Sequence, residues 1–463
     1  MDLTGFLSSL TDGEAEDYQK MAAQIGSVER RNRERFHYYD AEHGFQNMGV
    51  AIPERFVEFA SILGWNGTAV DALARRIKLR GLVRGDDPDS FAPAMDLAQS
   101  AGLHGQFRQA KQSALIYGVS FIATMRHGTR VFSRACSARD ATGLWHDDVP
   151  GKLRAGMAVA GRRDGLDSKL YLFYPGKTIM AVRRRDMSWD VSERRFRGDD
   201  IRFEPVRYLP DLDKPWGQSR ITRPMMSLTR SAARSFLRGE LNGEFYSYPQ
   251  LYGLNINPDD VEFLSTMGKF FALDYERDED GAPVKDAPSA SIGQVQVGTQ
   301  QPHMDQLRAT AMLYAAESAL SPDKLGVIHD NPSSADAIDR ADGELNATAE
   351  DATDDMGNSV LNCVSSLWLE ATGNAELDDD MRRLSCEWHD PGLTTRYSQR
   401  ASISNMAANG LAAPDNEITY LAAGMSPTMA RRFASAVRER ELRTALPSIV
   451  EKARQARDAR EGA

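Results

Sequence analysis

Cysteine is scarce in this chain. Three residues among 463, Cys136, Cys363 and Cys386, are odd in number and widely spaced. That pattern excludes a disulfide framework and reads as free thiols in a reducing compartment. Histidine is scarce too: the eight are scattered, with no His-Glu-x-x-His and no Cys-x-x-Cys pair. No metal centre is expected. His389-Asp390 stands beside the turn signal Pro391-Gly392, but adjacent strand residues point to opposite faces and rarely share a metal. No apolar run approaches the ~18 residues of a membrane span. Met1-Asp2-Leu3-Thr4 carries no basic region before an apolar stretch, so no signal peptide is expected. There is no Gly-x-Ser-x-Gly elbow. Tyr174-Pro-Gly-Lys-Thr178 holds the Gly-Lys-Thr of a phosphate loop, but the position that loop needs as glycine is Tyr171. A strand turn is the better reading. No catalytic residue and no cofactor is singled out.

Positive charge is also in deficit. There are 56 Lys and Arg against 66 Asp and Glu, a formal net charge of −10. This argues against a whole-surface nucleic-acid binder but not against a local basic patch. With 41% hydrophobic and 26% charged residues, the composition is that of a globular protein with a real core. The length fits two to four domains.

Periodicity organises the chain. The first ~125 residues read as mostly helical. Ile52 to Leu63 is mixed apolar, with Pro53 suited to a first helical turn. Thr68 to Leu82 presents Val70, Leu73, Ala74 and Ile77 on one helical face, and a further helix is expected from Phe91 to Gly118. Short strands are expected at 120–125, 130–133, 169–174, 178–182 and 202–209, with Pro175-Gly176 as a turn. Thr222 and Pro224 then open a long helix to about Tyr246, with Met225, Leu228, Ala232, Phe236 and Leu241 as its apolar stripe. Pro258 to Phe271 reads as a short helix, Asp278 to Gly281 as a turn and Ile292 to Val297 as a strand. Pro302 to Leu320 is helical again, with Met304, Leu307, Ala311, Tyr314 and Ala315 on one side. Two prolines and a glycine forbid a continuous helix over Ser321 to Pro332. Ser333 or Ser334 caps another helix to about Glu370, with one kink expected near Gly357. Cys386 to Arg396 holds a strand, and the tail from Ser398 is helical in pieces, broken at 410–415 and 424–427.

Two charge patterns stand out. Arg230, Arg234 and Arg238 recur at every fourth residue of the long helix, followed by Glu240 and Glu244. They make either a solvated, ion-paired face or a basic stripe toward a polyanion or a neighbouring subunit. The helix after Pro332 is the opposite. Asp336, Asp339, Asp342, Glu344, Glu350, Asp351, Asp354 and Asp355 have only Arg340 as a basic residue among them. It is an acidic solvated helix or, repeated around a ring, a surface to which DNA does not adhere. The clusters Arg183-Arg-Arg185 and Arg194-Arg-Phe-Arg197 lie in the α+β region.

Three segments, in this order, resemble the portal proteins of tailed bacteriophages with long non-contractile tails. They are Trp65 to Gly81 (Trp-Asn-Gly-Thr-Ala-Val-Asp-Ala-Leu-Ala-Arg-Arg-Ile-Lys-Leu-Arg-Gly), Trp216 to Gln250, and Pro322-Asp-Lys-Leu-Gly326 followed by Asn331 to Ile338. The resemblance implies an α+β, mostly helical subunit of a ring, commonly of twelve, at one capsid vertex of the virion, assembled in the host cytoplasm. Residues 1–217 would be the wing, 218–246 and 302–320 the two stem helices, and 247–301 the clip. Ser321, Pro322, Asp323, Lys324, Leu325, Gly326, Val327, Ile328, His329, Asp330, Asn331 and Pro332 would form a tunnel loop projecting into the bore. Residues 334–397 would return into the wing as a long helix and strand, and 398–463 would be a helical crown. Implied partners are other copies of the chain, double-stranded DNA, the terminase large subunit, a head-completion adaptor, and the major capsid and scaffolding proteins. The function would be structural, not enzymatic. The rival readings are a nucleic-acid-processing phage enzyme (a nuclease or packaging ATPase) and another structural virion protein.

Overall fold

The computed structural model describes residues 4–42, 63–84, 92–163, 166–246, 251–256, 270–273, 289–294, 299–326, 335–392, 396–410, 412–413, 415–423, 425, 429–440 and 442–444. These residues form two compact units: 1–75 with 81–387, and 76–80 with 388–463. The expected α+β, mostly helical class is met.

The larger unit opens with α1 (Thr4–Leu7) and α2 (Asp12–Tyr39). A capping box starts α2, in which the Thr11 backbone N–H donates to Glu14 Oε2 at 2.9 Å. Next come α3 (Trp65–Arg76), β1 (Leu79–Arg84), α4 (Ala92–Ser100) and α5 (Leu103–Tyr117). The expected helix to Leu82 therefore ends at Arg76, because Leu79 onward pairs as a strand. The helix expected from Phe91 to Gly118 is two helices. Gly102 breaks it with φ +72°, and Ser133 N–H donates to Ala101 O at the break. Of the mixed apolar stretch 52–63, all but Leu63 lies outside the described residues.

Eight antiparallel strands follow: β2 (Val119–His127), β3 (Arg130–Ser137), β4 (Ala141–Trp145), β5 (Leu153–Arg163), β6 (Leu166–Tyr174), β7 (Lys177–Arg183), β8 (Trp189–Arg195) and β9 (Phe203–Arg207). They make one sheet of order β3-β2-β9 and one of order β4-β5-β6-β7-β8. Lys177 pairs with Tyr174 across Pro175-Gly176, so the Gly-Lys-Thr sequence is a hairpin turn. Strands β4, β5 and β8 were not expected. Gly156 and Gly161 dilute the pattern of β5, and β8 is a polar edge strand.

The core lies where helices cover these sheets. Phe6, Tyr18 and Met21 from α1 and α2 pack on Met157, Leu170, Leu172 and Ile179. On the other face, Phe173 stacks on Phe203 at 4.6 Å and Phe203 on Phe121 at 4.8 Å, joining the two sheets. Phe203 occupies the space a Cβ at Gly156 would need. That is why this strand position is glycine.

The chain continues as α6 (Arg223–Tyr246), then β10 (Leu251–Leu254), β11 (Phe270–Leu273) and β12 (Ser291–Gln294), a small sheet of order β11-β10-β12. Phe270 and Phe271 are thus strand, not the end of a helix. The rest of that expected helix and the turn at 278–281 lie outside the described residues. Then come α7 (Gln301–Ser318), a 3-10 turn (Pro322–Leu325), α8 (Ala335–Thr372), α9 (Asp379–Arg382) and β13 (Leu384–Trp388), which pairs with β1. Helix α8 is hydrogen-bonded without interruption through Gly357. In the smaller unit, α10 (Arg396–Ala408) and α11 (Glu417–Ala422) precede a helical stretch at 429–440. Tyr420 stacks on Phe433 with centroids 5.7 Å apart.

Candidate functional site

Helices α6 and α7 pack side by side and form the first part of the site. Thr222 caps α6, its Oγ1 accepting from Met225 N–H at 3.3 Å. The same hydroxyl donates to Glu317 Oε1 at 2.9 Å, near the far end of α7. The buried face of α6 is Met225, Met226, Thr229, Ala232, Ala233 and Leu237. The expected stripe was correct at Met225 and Ala232. Leu228, Phe236 and Leu241 are only half-buried. On α7, Ala311, Tyr314 and Ala315 are buried as expected. Met304 is exposed, with Met312 and Leu313 on the outer face.

Asn66 of α3 holds the two helices together from behind. It is fully buried, donates to Thr229 Oγ1 at 2.9 Å and accepts from Tyr314 OH at 3.3 Å. Burial pushes the Tyr314 phenol well above its ordinary value, so it stays a neutral donor. Trp65 packs on the Tyr314 ring at 5.2 Å. This explains the Trp-Asn pair at the head of the first resembling segment.

Helix α7 ends at Ala319, a non-glycine residue with φ +48°. Of the expected tunnel loop, Ser321 to Gly326 are described. Pro322–Leu325 is a 3-10 turn, Leu325 is buried, and Gly326 (φ +82°) donates back to Asp323 O at 3.1 Å. The expected break in the helix is therefore real. Val327, Ile328, His329, Asp330, Asn331 and Pro332 lie outside the described residues. Lys324 pairs with Asp342 and ties this turn to α8.

Helix α8 has 38 residues, about 57 Å at 1.5 Å each. Asp336 and Asp339 lie in its first turns. Glu344, Glu350, Asp351 and Asp354 are exposed. The helix is not as cation-poor as its sequence implies, because cations from other elements serve it. Lys324 meets Asp342. Asp355 is held above the usual carboxylate range by burial, with Arg207 opposing that shift and Asp354 and Asp351 adding to it. Ser359 Oγ donates to Pro205 O at 2.7 Å, and Asn362 Nδ2 to Glu204 Oε2 at 3.3 Å. Burial pushes the Glu204 carboxyl up to about 8. At the end of the helix, buried Glu370 meets Arg194, then Arg126 at 3.8 Å and buried Arg202 at 3.9 Å. Arg126 Nη1 also donates to Glu370 O at 3.3 Å, supplying the cation that this helix C-terminus lacks in its own last turn.

The arginine stripe divides. Arg230, Arg234 and Arg238 are all half-buried, and Glu240 and Glu244 are exposed. Arg238 Nε is buried without a hydrogen bond among the described residues. Arg230 lines a cleft of about 1160 Å³ between α2, residues 213–222 and the start of α6, with Arg31, Arg35 and Arg223. Arg35 Nη1 donates to Tyr117 O at 2.8 Å. Burial, with the cations of Arg31 and Arg223, lowers its guanidinium to about 10. Sequence reasoning missed this cleft and the Glu370 cluster. The cleft has no linear signal. Glu370 could have been found, since it continues the buried spacing Cys363, Leu367 on α8.

Among the described residues no group of His, Cys, Asp and Glu is placed to hold a metal ion. Burial pushes Cys136 and Cys386 up to about 12 and raises Cys363 as well, so these thiols are protonated at neutral pH. The basic clusters are partly neutralised within the fold: Arg184 pairs with Asp190 at 3.2 Å and Arg195 with Glu193 at 2.5 Å. No helix among the described residues is long and apolar enough to cross a membrane.

No family model matches the chain. Two curated relatives do, both named portal protein. That of Mycobacterium phage L5 is 22% identical over 394 residues, covering 81% of this chain and 78% of its own. That of Mycobacterium phage D29 is 22% identical over 388 residues, with the same coverage. Among solved structures, a chain of the virion of a native gene transfer agent particle aligns with 85% of this chain and 99% of its own, at 12% identity and a TM-score of 0.39. The chain is thus similar to mycobacteriophage portal proteins along four-fifths of its length, as the three sequence segments led one to expect.

Proposed function

We propose that this protein is a portal subunit, acting as a structural component and not as an enzyme. Copies assemble into a ring of about twelve, the number common in proteins it resembles, at one capsid vertex of the virion. Double-stranded DNA passes through the bore on packaging and ejection. The clip end meets the terminase large subunit and later a head-completion adaptor, and the wing meets the capsid and scaffolding proteins. The similarity to two curated portal proteins supports the portal and connector role.

The observation that carries the reading further is the construction of the α6–α7 pair. It is tied internally by Asn66 and Thr222. Helix α7 nevertheless leaves the adjacent Met312 and Leu313 at 50% and 62% exposure. Two adjacent large apolar side chains left in solvent on one helix mark a surface that another subunit covers. The helix break at Ser321 then separates this pair from the acidic α8. A conduit must let DNA slide, and a mixed or acidic lining avoids a continuous phosphate grip. Electron micrographs of the purified protein are expected to show rings with a central hole. Compact monomers at every concentration and salt tried would overturn the reading.

A further inference from the structure

The arginine cleft has no place in the reading above. Arg31, Arg35, Arg223 and Arg230 converge there, against Glu34 and Asp213 in the same lining. The N-terminal turn of α6 lines it through Thr222, Arg223 and Met226, with no acidic residue of that turn, although Glu317 of α7 accepts from Thr222. The helix dipole therefore adds positive charge where six basic residues, Arg30 and Lys214 among them, already line the cleft. In a chain of net charge −10, this is a concentrated cationic site, and it calls for an anionic partner.

The walls decide which kind. Ile25, Val28 and Met226 line the cleft beside the arginines. Such a mixed lining fits a protein surface that carries carboxylates and small apolar groups. A sugar–phosphate backbone offers nothing to the apolar walls. The same chain presents a matching surface. On α8, Glu344, Glu350, Asp351 and Asp354 form an exposed stripe, and Gly343 and Ala347 between them are exposed and small. The stripe is acidic and low in relief.

We propose that the arginine cleft of one copy receives the acidic α8 stripe of a second copy. Cleft and stripe are different surfaces, so the contact is head-to-tail, and head-to-tail contacts are the kind that close into rings. The proposal rests on the ring reading and adds to it the contact that sets direction around the ring. Its ion pairs make assembly salt-sensitive.

A charge exchange tests it. One variant carries Arg31→Glu and Arg223→Glu, the other Glu350→Lys and Asp354→Lys; all four side chains are exposed. Each variant alone is expected to need a concentration higher by about tenfold or more for half-assembly, read by mass photometry and micrographs. Mixed in equal amounts, they are expected to form rings again, because each cleft then finds a stripe of opposite sign. Rings from either variant at the wild-type concentration would overturn the proposal. So would a mixture that stays unassembled. If the arginine variant assembles normally but loses binding of a labelled DNA duplex, the occupant is nucleic acid and the proposal also falls. If the wild type forms no ring, the portal reading fails separately. A complex found only in the mixture would then still support the contact, and its absence would remove it.

Discussion

Glu370 is where a single substitution tells most about how the long helix is fixed to its sheets. Glu370→Gln keeps the shape of the side chain and removes its charge. Arg126 and Arg194 are partly exposed and can turn to water. Arg202 cannot: it is buried, its ring contact is Phe196 at 4.6 Å, and its Nε and Nη1 are buried without hydrogen-bond partners among the described residues. Losing one partner of a buried pair strands the other charge, which costs about 3–5 kcal/mol. The larger unit spans roughly 380 residues. Unfolding entropy near 2.1 cal/mol/K per residue then turns a loss of ~3 kcal/mol into a fall of about 4 °C in Tm. Differential scanning calorimetry of the unassembled protein reads this directly. A companion variant, Glu370→Leu with Arg202→Met, replaces the pair by apolar groups and is expected to recover at least half of the loss. A fall under ~1 °C for Glu370→Gln, or a double variant less stable than the single one, would refute the argument that a stranded charge sets the cost.

The remaining predictions concern pH, assembly and the loop. Glu204 is raised to about 8 from 4.5. The folded protein therefore holds a proton that the unfolded chain has released between these values, and stability falls as pH rises through that window. Glu204→Gln is expected to remove that part of the slope, up to ~1.4 kcal/mol per pH unit, in urea melts at pH 5 to 8. Leu313→Glu is expected to raise the concentration for ring assembly while leaving the far-ultraviolet circular dichroism and Tm of the monomer unchanged, since Leu313 is 62% exposed. An equal loss of Tm would place Leu313 in the monomer core instead. Shortening the segment 321–332 is expected to leave rings intact and to impair DNA packaging or retention in particles. Normal DNA filling would remove the tunnel-loop role.

Much of the scaffold was legible because it follows local rules. Thr222 and Pro224 marked the start of α6 and Tyr246 its end. Pro322 and Gly326 forced the break after α7. Pro175-Gly176 is a turn signal, and Tyr174 pairs with Lys177 across it. Local rules failed where a distant partner decided. The helical face of Val70, Leu73, Ala74 and Ile77 reads on to Leu82, but β13 takes Leu79 to Arg84 into a strand. The buried stripe of α6 shifts from Leu228 and Phe236 toward Thr229, Ala233 and Leu237, and buried Asn66 of α3 bonds to it at Thr229.

By itself the sequence determined a globular α+β chain of net negative charge, without metal-ligand spacing, nucleophile elbow or intact phosphate loop. It also fixed the order of long helix, broken loop and acidic helix, and with it the family resemblance. These are properties of neighbours along the chain: caps, breakers, periods and counts. Only the tertiary structure decided which charges meet. It brought Arg126, Arg194 and Arg202 to Glu370 across 244, 176 and 168 residues. It gathered Arg31 and Arg35 with Arg223 and Arg230 around one cleft. The physical reason is that Coulomb energy depends on distance and burial in space, not on separation in sequence. The −10 of the whole chain therefore conceals one strongly cationic cleft and one acidic stripe.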